Sequence, residues 1–196
     1  MSFEDFVFTD RLSTQLSWFL DNPGRTPNVL CFYGEPGIGK TSFARFLANT
    51  ICGTHHYHDL STLDLGNPFF KSMKRTCSTV GLFGAEDGYA FNRGVILDEF
   101  HDLRPKDQDR FKYIVEEFSG VLFIICLNTS VSREIGKVLT PAIQSRCHLV
   151  DFNVLNSERE ALAIKVQGKF SKLTYEQIFR LLPDMRRITR EAAIAA

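Results

Sequence analysis

The 196 residues suit one compact domain, or a main domain with a small appendage. With 44% hydrophobic residues the chain can bury a sizeable core, and a formal net charge of +0 excludes a global field pulling it to nucleic acid or membrane. No apolar run approaches the roughly 18 residues of a membrane span, and the acidic start "MSFEDFVFTD" lacks a basic-then-apolar signal pattern.

In chain order, "NVLCFY" at 28–33 is the first of four short apolar runs that predict strands. The others are "GVILDE" at 94–99, "VLFIICLN" at 121–128 and "HLVDF" at 148–152. Near-continuous apolar character, rather than alternation, predicts strands covered on both faces, as in a parallel sheet. Between them, "TSFARFLANTICG" places Phe43, Phe46, Leu47 and Ile51 on one helical face, with Gly53 as a stop. A weaker strand is expected over His56–Leu60. "NPFFKSMKR" reads as a helix, and "KDQDRFKYIVEEFSG" aligns Phe111, Ile114, Val115 and Phe118, with Gly120 as a stop. The alternation predicts a three-layer α/β core with a parallel sheet over residues 1–153.

Residues 154–196 read as a small helical lid. Ser157 with Glu160, and Thr174 with Gln177, each match a capping box, and Asp184 is placed to cap a third helix.

The stretch "GEPGIGKTS" carries the chemistry. Gly34, Gly39, Lys40 and Thr41 match G-x-x-x-x-G-K-[ST], between a predicted strand and a predicted helix. Glycines let backbone N–H groups of Gly34, Glu35, Pro36, Gly37, Ile38, Gly39, Lys40, Thr41 and Ser42 (Pro36 excepted) turn around phosphates at a helix N-terminus. Lys40 can reach the β- and γ-phosphates of ATP, and the Thr41 hydroxyl can ligate Mg2+. "GVILDEF" supplies the matching acids: Asp98 for the metal, and Glu99 to orient and activate water, which points to hydrolysis.

These motifs make the chain resemble the AAA+ ATPases, and among them the clamp-loader branch: replication factor C small subunits and their archaeal and tailed-phage relatives. "FEDFV" resembles the segment near the adenine, and "GRTPNVLCFYGEPGIGKTS" the approach to the P-loop. "CLN" implies that Asn128 is the sensor of the γ-phosphate. "PAIQSRC" implies that Arg146 is an arginine finger entering a neighbouring subunit's site, and "PDMRR" that Arg186, ahead of its neighbour Arg187, is the lid sensor. The family grips duplex DNA with segments matching "NPFFKSMKR" and the loop after Asn128, which offer Lys71, Lys74, Arg75, Arg133 and Lys137; ordinary solvated cations are the other reading of all five.

The resemblance implies a homo- or hetero-oligomeric ring or arc, DNA, and a sliding clamp or other replication protein as partners, with no membrane. Nothing after the lid matches the family's helical collar, and only a few residues precede "FEDFV", where the family has a basic segment; either a truncated or minimal member, or one that assembles through other surfaces, is expected. A helicase-loader or transposition-type ATPase, and an ATP-switched regulatory binding module, stay open as alternatives. In "GLFGAEDGYAFNRG" at 81–94, L-F-G-x-E-x-G resembles a partner-engaging loop of bacterial enhancer-binding AAA+ activators; a plain β-turn is the other reading.

The five cysteines are Cys31, Cys52, Cys77, Cys126 and Cys147. An odd number without a C-x-x-C pair predicts a reducing compartment, the cytoplasm, or a host's if the chain is viral. In "CGTHHYH", Cys52, His55, His56 and His58 leave metal ligation open beside a helix end followed by a polar strand.

Overall fold

The computed structural model describes residues 2–79, 88–129 and 135–195. Arg133 and most of the loop motif within 81–94 lie outside the described residues. Five parallel strands form one sheet in the order β2-β3-β4-β1-β5. They are β1 Val29–Gly34, β2 His55–Asp59, β3 Arg93–Asp98, β4 Val121–Asn128 and β5 His148–Asp151. The buried strands β1, β3 and β4 are the continuous apolar runs; β2, at the edge, is the polar one and begins one residue before the expected start.

Helices cover both faces. The first, α1 (Asp10–Asp21), is one that the hydrophobic pattern left unassigned. Thr9 caps it by accepting from the Leu12 N–H, and Leu12, Leu16 and Phe19 are its buried stripe. With α2 (Lys40–Ile51) it closes one face of the sheet, around Phe32, Phe43 and Phe152. On the other face lie α3 (Asn67–Ser78), α4 (Pro105–Glu117) and the short α5 (Pro141–Gln144), packed with Phe111, Phe123 and Ile143. Neither glycine stop is the cap itself: α2 ends at Ile51 with Cys52 as C-cap, and α4 ends at Glu117 with Phe118.

The lid comprises α6 (Arg159–Lys169), α7 (Tyr175–Leu181) and α8 (Met185–Ile194), gathered around Leu162, Val166, Ile178 and Ile188. Thr174 and Gln177 form their reciprocal cap, and Asp184 accepts from the Arg187 N–H. The Ser157 cap is corrected. Residues Asn156–Glu158 form a 3-10 turn, Arg159 opens α6, and the Glu158 carboxylate instead accepts from the Leu155 N–H at 3.0 Å. With Glu158 at the N-cap of α6, Glu160 stands at its second residue rather than its third, so the Ser157–Glu160 spacing is out of phase with the helix start. The Glu158 carboxylate also accepts from Arg11 of α1 at 3.0 Å, and so serves a local cap and a tertiary ion pair together.

A candidate nucleotide site at the strand ends

Parallel strands whose helices alternate between faces leave a crevice at their carboxyl ends. Here β1 runs into the loop ending at Gly39, which opens α2 with φ +105°, a conformation suited to glycine. A cavity of about 710 Å3 lies over this loop. Pro36 to Ser42 line it together with Asp98, Glu99, Asn128 and Arg186, which come from β3, its following turn, β4 and α8. Gly34 and Glu35 sit beneath: their carbonyls accept from Lys40 Nζ at 2.8 and 2.7 Å. Lys40 is only 5% exposed. Burial lowers its ammonium below the ordinary lysine value, Arg186 works in the same direction, and Asp98 and Glu99 oppose them.

Asp98 is tightly engaged. Its Oδ2 accepts from the Thr41 hydroxyl at 2.8 Å and from the Tyr57 hydroxyl at 2.9 Å, and its Oδ1 accepts from the Glu99 N–H at 3.1 Å. Glu99 itself adopts φ +53°, left-handed backbone that few non-glycine residues hold without strain. This turn aims its carboxylate at Asn128, whose Nδ2 donates to Oε1 and Oε2 at 3.1 and 2.8 Å. His101 Nδ1 stands 3.4 Å from Oε2.

Thr41 and Asp98 fit Mg2+ as a donor set. Both supply hard oxygen atoms, already adjacent, and Mg2+ characteristically takes few protein ligands and completes its octahedron with phosphate and water. The group Cys52, His55, His56 and His58 does not assemble. Strand alternation sends His56 and His58 to the face opposite His55. His58 packs edge-on to Phe69, and His56 Nε2 lies 3.5 Å from the Arg93 guanidinium. Among the described residues no three His, Cys, Asp or Glu side chains could hold a metal.

The lid reaches the loop directly. A Cβ added to Gly37 would lie 2.2 Å from Asp184 Oδ1, so only glycine lets the α8 cap rest there. Arg186 and Arg190, one turn apart on α8, both line the cavity. Asp5, Phe6, Val7 and Phe8 form another wall, as the "FEDFV" resemblance implies; Lys169 and Phe170 of the lid complete it. Arg190 is legible from spacing once Arg186 is identified, whereas Lys169 carries no local signal. It joins the wall because its Nζ donates to the carbonyls of Glu4, at 3.1 Å, and Asp5.

The remaining candidates stand apart. Arg146 is outside the cavity. Its Nε donates to Glu116 of α4 at 2.7 Å, Nη2 also reaches Glu116, and Nη1 donates to the Ala142 carbonyl at 2.7 Å. Lys71, Lys74 and Arg75 share the exposed side of α3, and Lys74 pairs with Glu117. Lys137 ends an exposed 3-10 turn at Ile135–Lys137.

Comparison with known proteins bears on this geometry. The chain is 30% identical over 204 residues to replication factor C small subunit 2 of Pyrobaculum islandicum, with 100% of this chain and 61% of that protein covered. It is 28% identical over 162 residues to replication factor C subunit 4 of Caenorhabditis elegans, covering 79% of this chain and 46% of the relative. The chain thus spans less than two thirds of the length of these relatives. In structure it is similar to the Thermotoga maritima RuvB Holliday junction branch migration motor, with a TM-score of 0.57 at 15% identity over 87% of this chain and 54% of that one, a likeness of fold. Residues 30–149, which hold the phosphate loop, both strand-end acids and Asn128, match the ATPase family associated with various cellular activities (AAA), and the chain belongs to that family.

Proposed function

We propose that this chain is a Mg-ATP-hydrolysing subunit of clamp-loader type, which works on DNA in replication as part of a ring or arc. The observation that carries the reading is the convergence of Lys40, Thr41, Asp98, Glu99, Asn128 and Arg186 on one cavity, since these are the parts that phosphoryl transfer to water requires. The replication factor C relatives support the clamp-loader branch.

In this mechanism the loop N–H groups and Lys40 bind the triphosphate, and Thr41 and Asp98 would hold Mg2+, which would supply neutralisation of the phosphate charge. Glu99, oriented by Asn128, accepts a proton from the attacking water. Arg186 binds the γ-phosphate from the lid. Arg146 serves the site of a neighbouring subunit, where an added cation is worth on the order of 10³–10⁵ in rate. Its exposed position away from its own cavity supports that role. Lys71, Lys74 and Arg75, with Arg133 and Lys137, contact DNA phosphates, and the common exposed face of the α3 cations supports this. The described cysteines are all free thiols, which supports a reducing cytosol.

Complementation tests the reading. Glu99→Gln retains an arginine finger but loses its own base; Arg146→Ala retains the base but loses the finger. Each alone loses turnover by on the order of 10²-fold or more while still binding nucleotide. Mixed, they recover part of the phosphate release, at interfaces where one contributes Glu99 and the other Arg146. Co-assembly without any recovery overturns the role of Arg146 across subunits.

A further inference from the structure

We propose that Tyr57 is a positioning residue for the metal site, holding Asp98 in the orientation that Mg2+ requires. The inference rests on the reading that Thr41 and Asp98 hold that ion. Tyr57 belongs to the histidine-rich edge strand, whose polar residues otherwise have no part in the site. Alternation along β2 turns it, unlike His56 and His58, towards α2.

Three observations support the assignment. The Tyr57 hydroxyl donates to Asp98 Oδ2 at 2.9 Å, the same oxygen that accepts from Thr41 at 2.8 Å. The guanidinium of Arg45, on the helix that also carries Lys40 and Thr41, lies 3.8 Å from the Tyr57 ring centroid. Across the sheet, Tyr57 pairs in register with Ile96, two residues before Asp98, so the phenol spans the distance along the strand that its backbone does not. Edge strand, acid and phosphate-loop helix are therefore joined through one side chain.

A carboxylate at a strand end is free to rotate about its terminal bond unless both oxygens are held. The Glu99 N–H secures Oδ1, and at Oδ2 the partners are Thr41 and Tyr57. Because the Thr41 oxygen is itself a metal ligand in this reading, its hydroxyl is not an independent support. Tyr57 is: it stands outside the lining of the cavity, and its hydroxyl holds the acid from the edge strand. Outer-shell donors of this kind govern how well a ligand is presented to its metal.

Tyr57→Phe removes only the hydroxyl and leaves the ring for Arg45. The measurement is binding of a fluorescent ADP analogue, titrated with Mg2+ and repeated in EDTA, with Mn2+ binding followed by electron paramagnetic resonance. The expected result is a rise in the half-saturating metal concentration on the order of tenfold, with affinity in EDTA unchanged. A merely structural role lowers affinity with and without metal alike, and that outcome overturns the proposal, as does an unchanged half-saturating concentration. Asp98→Asn separates the two levels. If it leaves metal dependence unaltered, the metal reading falls, and Tyr57 with it. If it shifts metal dependence and Tyr57→Phe does not, only the role of Tyr57 falls.

Discussion

In the α/β core, Asp98 and Asn128 end strands buried on both faces, Glu99 follows Asp98, and Lys40 opens a helix packed on the sheet; in the lid, Arg186 rides on a helix whose buried residue is Ile188 alone. The core residues are held by sheet register. Gly34 pairs with Asn128, and Asp59 with Asp98, so moving one acid means moving a strand. The lid is attached differently. Arg11 donates to Glu158, Lys165 pairs with Asp10, and Lys169 holds the carbonyls of Glu4 and Asp5. These are mostly exposed polar contacts, individually weak. One region presents its chemistry rigidly and the other presents an arginine through adjustable tethers, an arrangement suited to the γ-phosphate contact proposed for Arg186.

The comparison can be broken most forcefully from the core side. Phe43 is fully buried, with the rings of Phe6, Phe8, Phe32 and Phe152 around it. Phe43→Ala is expected to cost about 3–5 kcal/mol and to shift the denaturant midpoint of the whole chain. Ile178→Ala, in the lid cluster, costs about 2–5 kcal/mol, but the loss is local. Amide exchange accelerates over 159–195 while the strands keep their protection. Equal acceleration in the sheet would make core and lid one cooperative unit and end the contrast.

Arg11→Ala sharpens it further. Arg11 is 37% exposed, so solvent screens its pair with Glu158, and the expected loss is about 1 kcal/mol. Burial tends to raise the Glu158 carboxyl, but the hydrogen bonds from Arg11 and the Leu155 N–H outweigh it and leave it below the ordinary value. The loss should appear as faster exchange in α6 and weaker nucleotide binding, with the sheet unaffected. Unchanged exchange in α6 would show that apolar contacts alone hold the lid.

The smallest effect concerns pH and the core edge. Burial holds His55, His56 and His58 below the ordinary histidine value, helped by Arg45 at His55, by Arg93 and His55 at His56, and by His56 at His58. The unfolded chain therefore takes up protons first as pH falls. The histidine contribution is fully present above about pH 6.5 and is lost as pH drops through that value towards the lower folded-state values. The melting temperature should fall between about pH 7 and about pH 5.5, and replacing all three histidines with glutamine should flatten the slope. An unaltered slope would assign the acid sensitivity to other groups.

Much of this protein is local chemistry and was legible as such. The phosphate loop announces itself because glycines, lysine and threonine act within one turn; the Thr174 and Asp184 caps bond backbone three residues away. Continuous apolar runs disclosed β1, β3 and β4 because burial on both faces leaves no polar alternation; the edge strand β5, with only Val150 buried, was disclosed by its short apolar run. Other features depend on which distant residues meet. The α1 stripe is explained only by the sheet face it covers. Glu158 pairs with an arginine 147 residues away. Arg146 rests on Glu116 at a separation of 30, and Tyr57 reaches Asp98 across 41. Such pairs have no spacing rule, since chain reversal through a parallel sheet, not sequence distance, decides which side chains become neighbours. Sequence alone therefore picked out the loop and strand-end residues that line the cavity, and the tertiary structure decided which residues hold them in place.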